Sequence, residues 1–149
     1  MSPRSLMLEV AGRTLYWLLL AASLWVLYRG HNLPGGGFIG GLVAVSATVV
    51  CAVSQSTELA RRRLLFGDPR VLAASGVLAS LLSGVVGWLA GEPFLTHPWV
   101  SIPLGVGSFD VSSVLVFDLG VYLAVWGAVG GYALLLLELE PAHDDGGSP

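Results

Sequence analysis

The run Val114–Leu137, VLVFDLGVYLAVWGAVGGYALLLL, decides the fold. A helix that is apolar on every face belongs in a large core or in a membrane, and a chain of 149 residues has no large core to offer. About 20 mostly apolar residues span the hydrocarbon of a bilayer as a helix, and this run exceeds that length with Asp118 as its one charge. Three further stretches of membrane length precede it, about Leu6 to Tyr28, Gly36 to Ser54 and Val71 to Ala90, and the last span is placed at about Val111 to Leu137. The expectation is an all-α integral membrane protein. It has four transmembrane helices in a single membrane domain over 1–149, and no soluble domain.

Composition agrees. Apolar residues make up 54% of the chain and charged residues 11%, against about a quarter charged in soluble domains. So few charges cannot cover a water-facing surface. Every basic residue is Arg, the net charge is −3, and no basic stripe runs along any segment; nucleic acid is not an expected partner. The lone cysteine, Cys51, excludes an internal disulfide and reads as a small apolar side chain in a helix.

The first span is the least clean. Its uninterrupted apolar part, Leu15 to Tyr28, also has the length of a signal-peptide core, but the chain continues Arg29-Gly30-His31-Asn32 with no small-residue cleavage site. Glu9 and Arg13 stand four apart in the order that favours a helical ion pair, which extends the helix back to Leu6. Orientation follows from the arginines. Arg4 and Arg13 precede the first span, and Arg61, Arg62, Arg63 and Arg70 lie in the second connection. The first connection holds only Arg29 and the third none. Both termini are expected in the cytoplasm, and the acidic tail at about 141–149 is expected to be disordered. The arginine run reads as a topology determinant, with anionic-lipid contact as a compatible role.

At 100° per residue, Gly120, Ala124, Gly127 and Gly131 form a narrow stripe on the last helix, opposite Asp118, Tyr122, Val125, Val129 and Tyr132. Small residues let a second helix approach closely, and an ionisable residue in a span avoids lipid, so both faces are expected to be covered by protein. The third span carries another small-residue ribbon, Gly76, Ser80, Ser83 and Gly87. The second opens with Gly36, Gly37, Gly40 and Gly41. Packing within a four-helix bundle accounts for any one ribbon; three ribbons together point to a subunit of a larger membrane assembly.

Asp118 is the most informative residue. A carboxylate at the centre of a membrane helix costs about 2.5–3.5 kcal/mol on insertion scales, so it is expected to be protonated, paired or wetted. It fits either a helix-packing hydrogen bond or a proton or cation relay. In the first connection, Asn32, Pro34, Gly35, Gly36 and Gly37 are turn formers, and His31 reads as a turn-stabilising histidine at the membrane surface, with titration near neutral pH as the alternative reading. The three glycines lack the lysine and hydroxyl of a phosphate loop. Glu92, His97 and Asp110 have no metal spacing. No nucleophile–base arrangement or cofactor motif is present, so neither a cofactor nor an enzymatic activity is expected.

Three stretches carry a family resemblance: Gly30-His31-Asn32-Leu33-Pro34-Gly35-Gly36-Gly37-Phe38-Ile39-Gly40-Gly41-Leu42, Pro93-Phe94-Leu95-Thr96-His97 and Phe117-Asp118-Leu119-Gly120-Val121-Tyr122-Leu123. In this order they resemble the B subunit of the multisubunit Na+/H+ antiporters, the Mnh/Mrp type. The resemblance implies a multi-pass subunit in a prokaryotic cytoplasmic membrane, beside large antiporter-like and small subunits, in a complex exchanging Na+ for H+. It leaves open whether Asp118, with Tyr122 and His31, lines an ion route or the chain is a purely structural scaffold. The equivalent subunit of a related membrane-bound hydrogenase or respiratory complex is a weaker alternative.

Overall fold

The apolar runs do form the long helices. The computed structural model describes residues 3–30, 35–89, 99–104 and 107–139. Along the chain these are α1 (Pro3–Arg29), α2 (Gly37–Ser54), α3 (Thr57–Arg62), α4 (Pro69–Leu89), β1 (Trp99–Leu104), β2 (Gly107–Ser112) and α5 (Ser113–Leu139). The segments Leu6–Arg29, Gly37–Ser54 and Val114–Leu139 are each long and apolar enough to cross a membrane, and α4 is apolar over Pro69–Val85.

Local chemistry explains the boundaries. The sequence reading starts the third span at Val71, but α4 begins at Pro69, a residue suited to the first helical position because its missing N–H would be unpaired there. Asp68 caps it, Oδ1 accepting from the Arg70 amide at 2.8 Å. The short α3, absent from the sequence reading, has its own cap: Ser56 Oγ accepts from Leu59 N at 3.1 Å. Glu58 in its first turn and Arg61 and Arg62 in its last suit the helix dipole.

The third connection holds an antiparallel two-stranded ribbon, with Trp99 opposite Ser112 and Leu104 opposite Gly107. It takes Val111 and Ser112 from the expected start of the last span. The expected ion pair on α1 does not form. Glu9 and Arg13 are both exposed, and among the described residues only Arg61–Glu138 and Arg62–Glu58 lie within ion-pair distance. An exposed pair stabilises a helix too little to immobilise two long side chains.

The long helices form a row in the order α1, α2, α5, α4, with neighbours packed in that sequence. Half of the α2 span is buried but only 17% of that of α1, which stands at one end. Trp17, Leu18, Leu24 and Trp25 on α1 are exposed, as are Val77, Leu78, Leu81 and Leu82 on α4.

The small-residue ribbons hold this row together. An added Cβ on Gly76 would overlap the backbone of Ala124, one on Gly127 the backbone of Ala73, and one on Gly120 the Ser80 hydroxyl. The ribbons of α4 and α5 therefore face each other. That of α2 faces α5 and α1, where a Cβ on Gly41 would lie 2.9 Å from the Val125 Cβ and one on Gly40 would lie 3.0 Å from the Ser23 carbonyl. Between lipid-solvated helices such close approach is the main attraction, since lipid is as apolar as the side chains. Over the described residues the ribbons are thus occupied within the chain, and they do not by themselves require a partner. The opposite face of α5 is covered at Tyr122 and exposed at Val129 and Tyr132, because α2 packs along only part of it.

Candidate functional site

α5 places Asp118 in its second turn, half-buried, against the start of α2. Its carboxylate oxygens lie 3.4 and 3.5 Å from where Gly36 would carry a Cβ. Gly36 has φ 89°, in the left-handed region that glycine alone adopts freely. Its N–H donates to the Val26 carbonyl at 3.3 Å, and its own carbonyl accepts from Gly40 N at 3.0 Å. An added Cβ on Gly37 would overlap the Asp118 carbonyl. The glycines thus let the α5 backbone reach the first turn of α2, which no side chain caps.

The electrostatics follow. The first turn of a helix leaves amide donors free, and its dipole favours an anion by about 0.3–1 kcal/mol. That offsets only part of the cost of a carboxylate in the span. Among the described residues no side chain forms an ion pair with Asp118. The Asp118 carboxylate and the first turn of α2 therefore meet at one inter-helix junction.

One turn further along α5, Tyr122 is 2% exposed. Its hydroxyl lies 3.0 Å from Ser23 Oγ. The single Ser23 proton goes to the Leu20 carbonyl at 2.7 Å, so Tyr122 is the donor to Ser23. A turn beyond, the Trp126 ring meets the Tyr122 ring edge-on at 5.8 Å between centroids. Trp126 Nε1 donates to Thr48 Oγ1 at 2.8 Å, and Thr48 donates to the Ala44 carbonyl at 3.0 Å. Asp118, Tyr122 and Trp126, spaced by four, form a polar ladder between α5 and its neighbours α1 and α2.

Of the residues singled out in the sequence, Asp118, Tyr122, Gly36, Gly37, Gly40 and Gly41 converge here. Gly35 abuts the end of α1, where an added Cβ would lie 2.8 Å from the Val26 carbonyl. His31, Asn32 and Pro34 lie outside the described residues, as do the Pro93–His97 motif and the acidic tail. Gly120, Gly127 and Gly131 belong to the opposite face of α5, on α4.

Ser23, Thr48 and Trp126 escaped the sequence reading. A lone Ser or Thr in a span commonly bonds its own helix carbonyl, and nothing in the pattern shows a partner on another helix. A second cluster was also invisible. Arg63 lies over the Tyr16 ring, 4.8 Å from its centroid, and donates to Cys51 Sγ at 3.4 Å and to Gln55 Oε1 at 3.4 Å. Cys51 is a buried side chain of α2, and it also accepts a hydrogen bond.

Three helices of membrane-crossing length with a shorter apolar helix packed beside them define a multi-pass membrane protein. Residues 7–131 match the family model described as a domain related to the MnhB subunit of Na+/H+ antiporter, and the chain belongs to that family. The B subunit of the Na+/H+ antiporter of Bacillus subtilis (strain 168) is 36% identical over 123 residues, 82% of this chain and 85% of the relative. Its counterpart in Alkalihalophilus pseudofirmus is 33% identical over 141 residues, 93% of each chain. Among solved structures, the Mrp complex from Dietzia sp. DQ12-45-1b contains a similar chain, with a TM-score of 0.72 and 29% identity. The match covers 90% of this chain and 14% of that one. These relatives are transporter subunits, and none of their names indicates an enzymatic activity.

Proposed function

We propose that the chain is the B subunit of a multisubunit Na+/H+ antiporter in a bacterial cytoplasmic membrane, and that Asp118 is a proton- or cation-exchanging group of the assembled complex. The placement of the Asp118 carboxylate against the uncapped start of α2 carries this reading. The helix dipole favours a carboxylate at this position. Tyr122 and Ser23 continue the polar path one turn deeper.

The chain crosses the membrane four times in this reading. At about 1.5 Å per residue the 21 residues of α4 reach roughly 31 Å, enough for the hydrocarbon core. An even number of crossings puts both termini on the side of Arg61, Arg62, Arg63 and Arg70, the cytoplasm by the arginine rule.

A scaffold that grips partners through its glycine faces is less well supported, because those faces are occupied within the chain. The surfaces open to partner subunits are the outer faces of α1 and α4. Asp118→Asn separates transport from assembly. The substituted subunit is expected to co-purify with the other subunits at wild-type yield while Na+/H+ exchange in everted vesicles falls at least tenfold. Wild-type exchange at every pH would exclude the titrating role.

A further inference from the structure

Between α3 and α4 the chain turns sharply at Leu64–Gly67, where the Gly67 amide donates to the Leu64 carbonyl at 2.9 Å. Phe66, the third residue of this turn, has φ 72°. A turn with positive φ at its third residue suits Gly or Asn, and a bulky residue there is a steric outlier. The turn is pinned on both sides. Leu64 is buried, Arg63 donates to Cys51 Sγ and Gln55 Oε1, and Asp68 Oδ1 accepts from the Arg70 amide. The two central side chains are nevertheless left uncovered, Leu65 at 50% and Phe66 at 63% exposure. An apolar pair held outward by a strained backbone points to a contact outside the chain.

Neighbouring helices give the depth of this turn. Pro69, three residues after Phe66, sits on α5 at Gly131, where an added Cβ would lie 2.7 Å from the Pro69 Cβ. The apolar run of α5 continues past that level to Leu137, six residues or about 9 Å further. Leu135 and Leu136 are exposed along it. On the other side of α2, α1 meets the end of α2 at Gly12, where an added Cβ would overlap Ser54. Leu6, Met7, Leu8 and Val10, which precede that contact, are exposed. Two helices thus keep apolar side chains uncovered beyond the level at which α2 ends and α4 begins. The connection lies at the edge of the hydrocarbon, where the medium around Leu65 and Phe66 is lipid.

We propose that Leu65 and Phe66 insert into the adjoining leaflet as an interfacial anchor for the connection between α2 and α4. Phe and Leu of membrane-surface segments reach about 5–10 Å into the boundary between headgroups and acyl chains, the depth that α5 and α1 set for this turn. The contact is apolar and indifferent to the charge of the headgroup. The proposal rests on the membrane-spanning reading above, but not on any ion role for Asp118.

The test uses the assembled antiporter complex in vesicles of phosphatidylcholine and phosphatidylglycerol. The photoreactive residue p-benzoylphenylalanine replaces Phe66, an exposed ring of related shape. In separate preparations it replaces Arg62 of α3 or Leu78 on the outer face of α4, both exposed. Adducts formed on irradiation are identified by mass spectrometry. Position 66 is expected to carry adducts on the acyl chains of both phospholipids, and position 62 is expected to lose them. Adducts at 66 with a neighbouring subunit would overturn the proposal, since the turn would then dock on protein. So would no adduct at 66, or equal lipid yields at 62 and 66. Position 78 tells two failures apart. An adduct at 78 with lipid or a subunit, and none at 66, sinks the anchor alone; none at either position sinks the membrane-spanning reading with it. A wild-type Asp118→Asn transport result leaves the adducts at 66 unchanged, so the ion role fails separately.

Discussion

The Asp118 carboxylate lies 3.4 Å from the point where Gly36 would carry a side chain, so the first turn of α2 and the Asp118 carboxylate share one site. Gly36→Ala would force an L-residue to φ 89°, at about 1–2 kcal/mol, and would press a methyl group on the carboxylate. Gly37→Ala carries no such φ but overlaps the Asp118 carbonyl. Both are expected to lower the thermal midpoint of the purified complex. Only substitutions at this junction are expected also to reduce Na+/H+ exchange per assembled complex.

The Tyr122–Ser23 bond has a direction, which makes its two truncations unequal. Tyr122→Phe leaves Ser23 donating to Leu20 and removes one hydrogen bond, about 0.6 kcal/mol by the average for such bonds between membrane helices. Ser23→Ala strands a buried phenol, at about 1–3 kcal/mol. Detergent-titrated unfolding is expected to rank Ser23→Ala as the more damaging, with Ser23→Ala/Tyr122→Phe recovering part of the loss. The reverse order would mean that Ser23 is the donor.

Gly127 and Gly130, one turn apart on α5, diverge in what they tolerate. A Cβ on Gly130 would meet nothing nearer than 3.6 Å, whereas one on Gly127 would overlap the Ala73 backbone. Gly130→Ala is expected to assemble normally. Gly127→Ala is expected to separate α4 from α5 and reduce the yield of this chain in the membrane, read by quantitative immunoblot against a neighbouring subunit.

Outside the spans, Gly67 has φ 67° and open space around it, following Phe66 at φ 72°. Gly67→Ala therefore isolates backbone strain from packing. It is expected to lower stability by about 1–2 kcal/mol, measured as the shift in the unfolding midpoint. Gly67→Asn is expected to lose less, because Asn tolerates the left-handed region.

The long apolar helices were legible because their signal is a long apolar run, which survives any tertiary arrangement. Asp118 and Tyr122 were legible because a polar residue in such a run stands out. The row was not: the ribbon at Gly120, Gly127 and Gly131 announces close approach without saying that Gly76 and Ala73 are what approach. Ser23 and Thr48 carry no mark of a partner on another helix. The short α3 fell below a search tuned to membrane length, although Ser56 and Glu58 form an ordinary helix start. The ribbon at Trp99–Leu104 and Gly107–Ser112 lies where prolines and glycines blurred any alternation.

The most direct test of the central claim is the pH dependence of Na+/H+ exchange by complexes reconstituted with the wild-type, Asp118→Asn or Asp118→Glu chain at matched assembly. A titrating Asp118 predicts that Asn abolishes the pH-dependent component, while Glu retains exchange with a shifted pH optimum. Superimposable wild-type and Asn profiles would contradict it and leave the carboxylate a packing group at the α2–α5 junction.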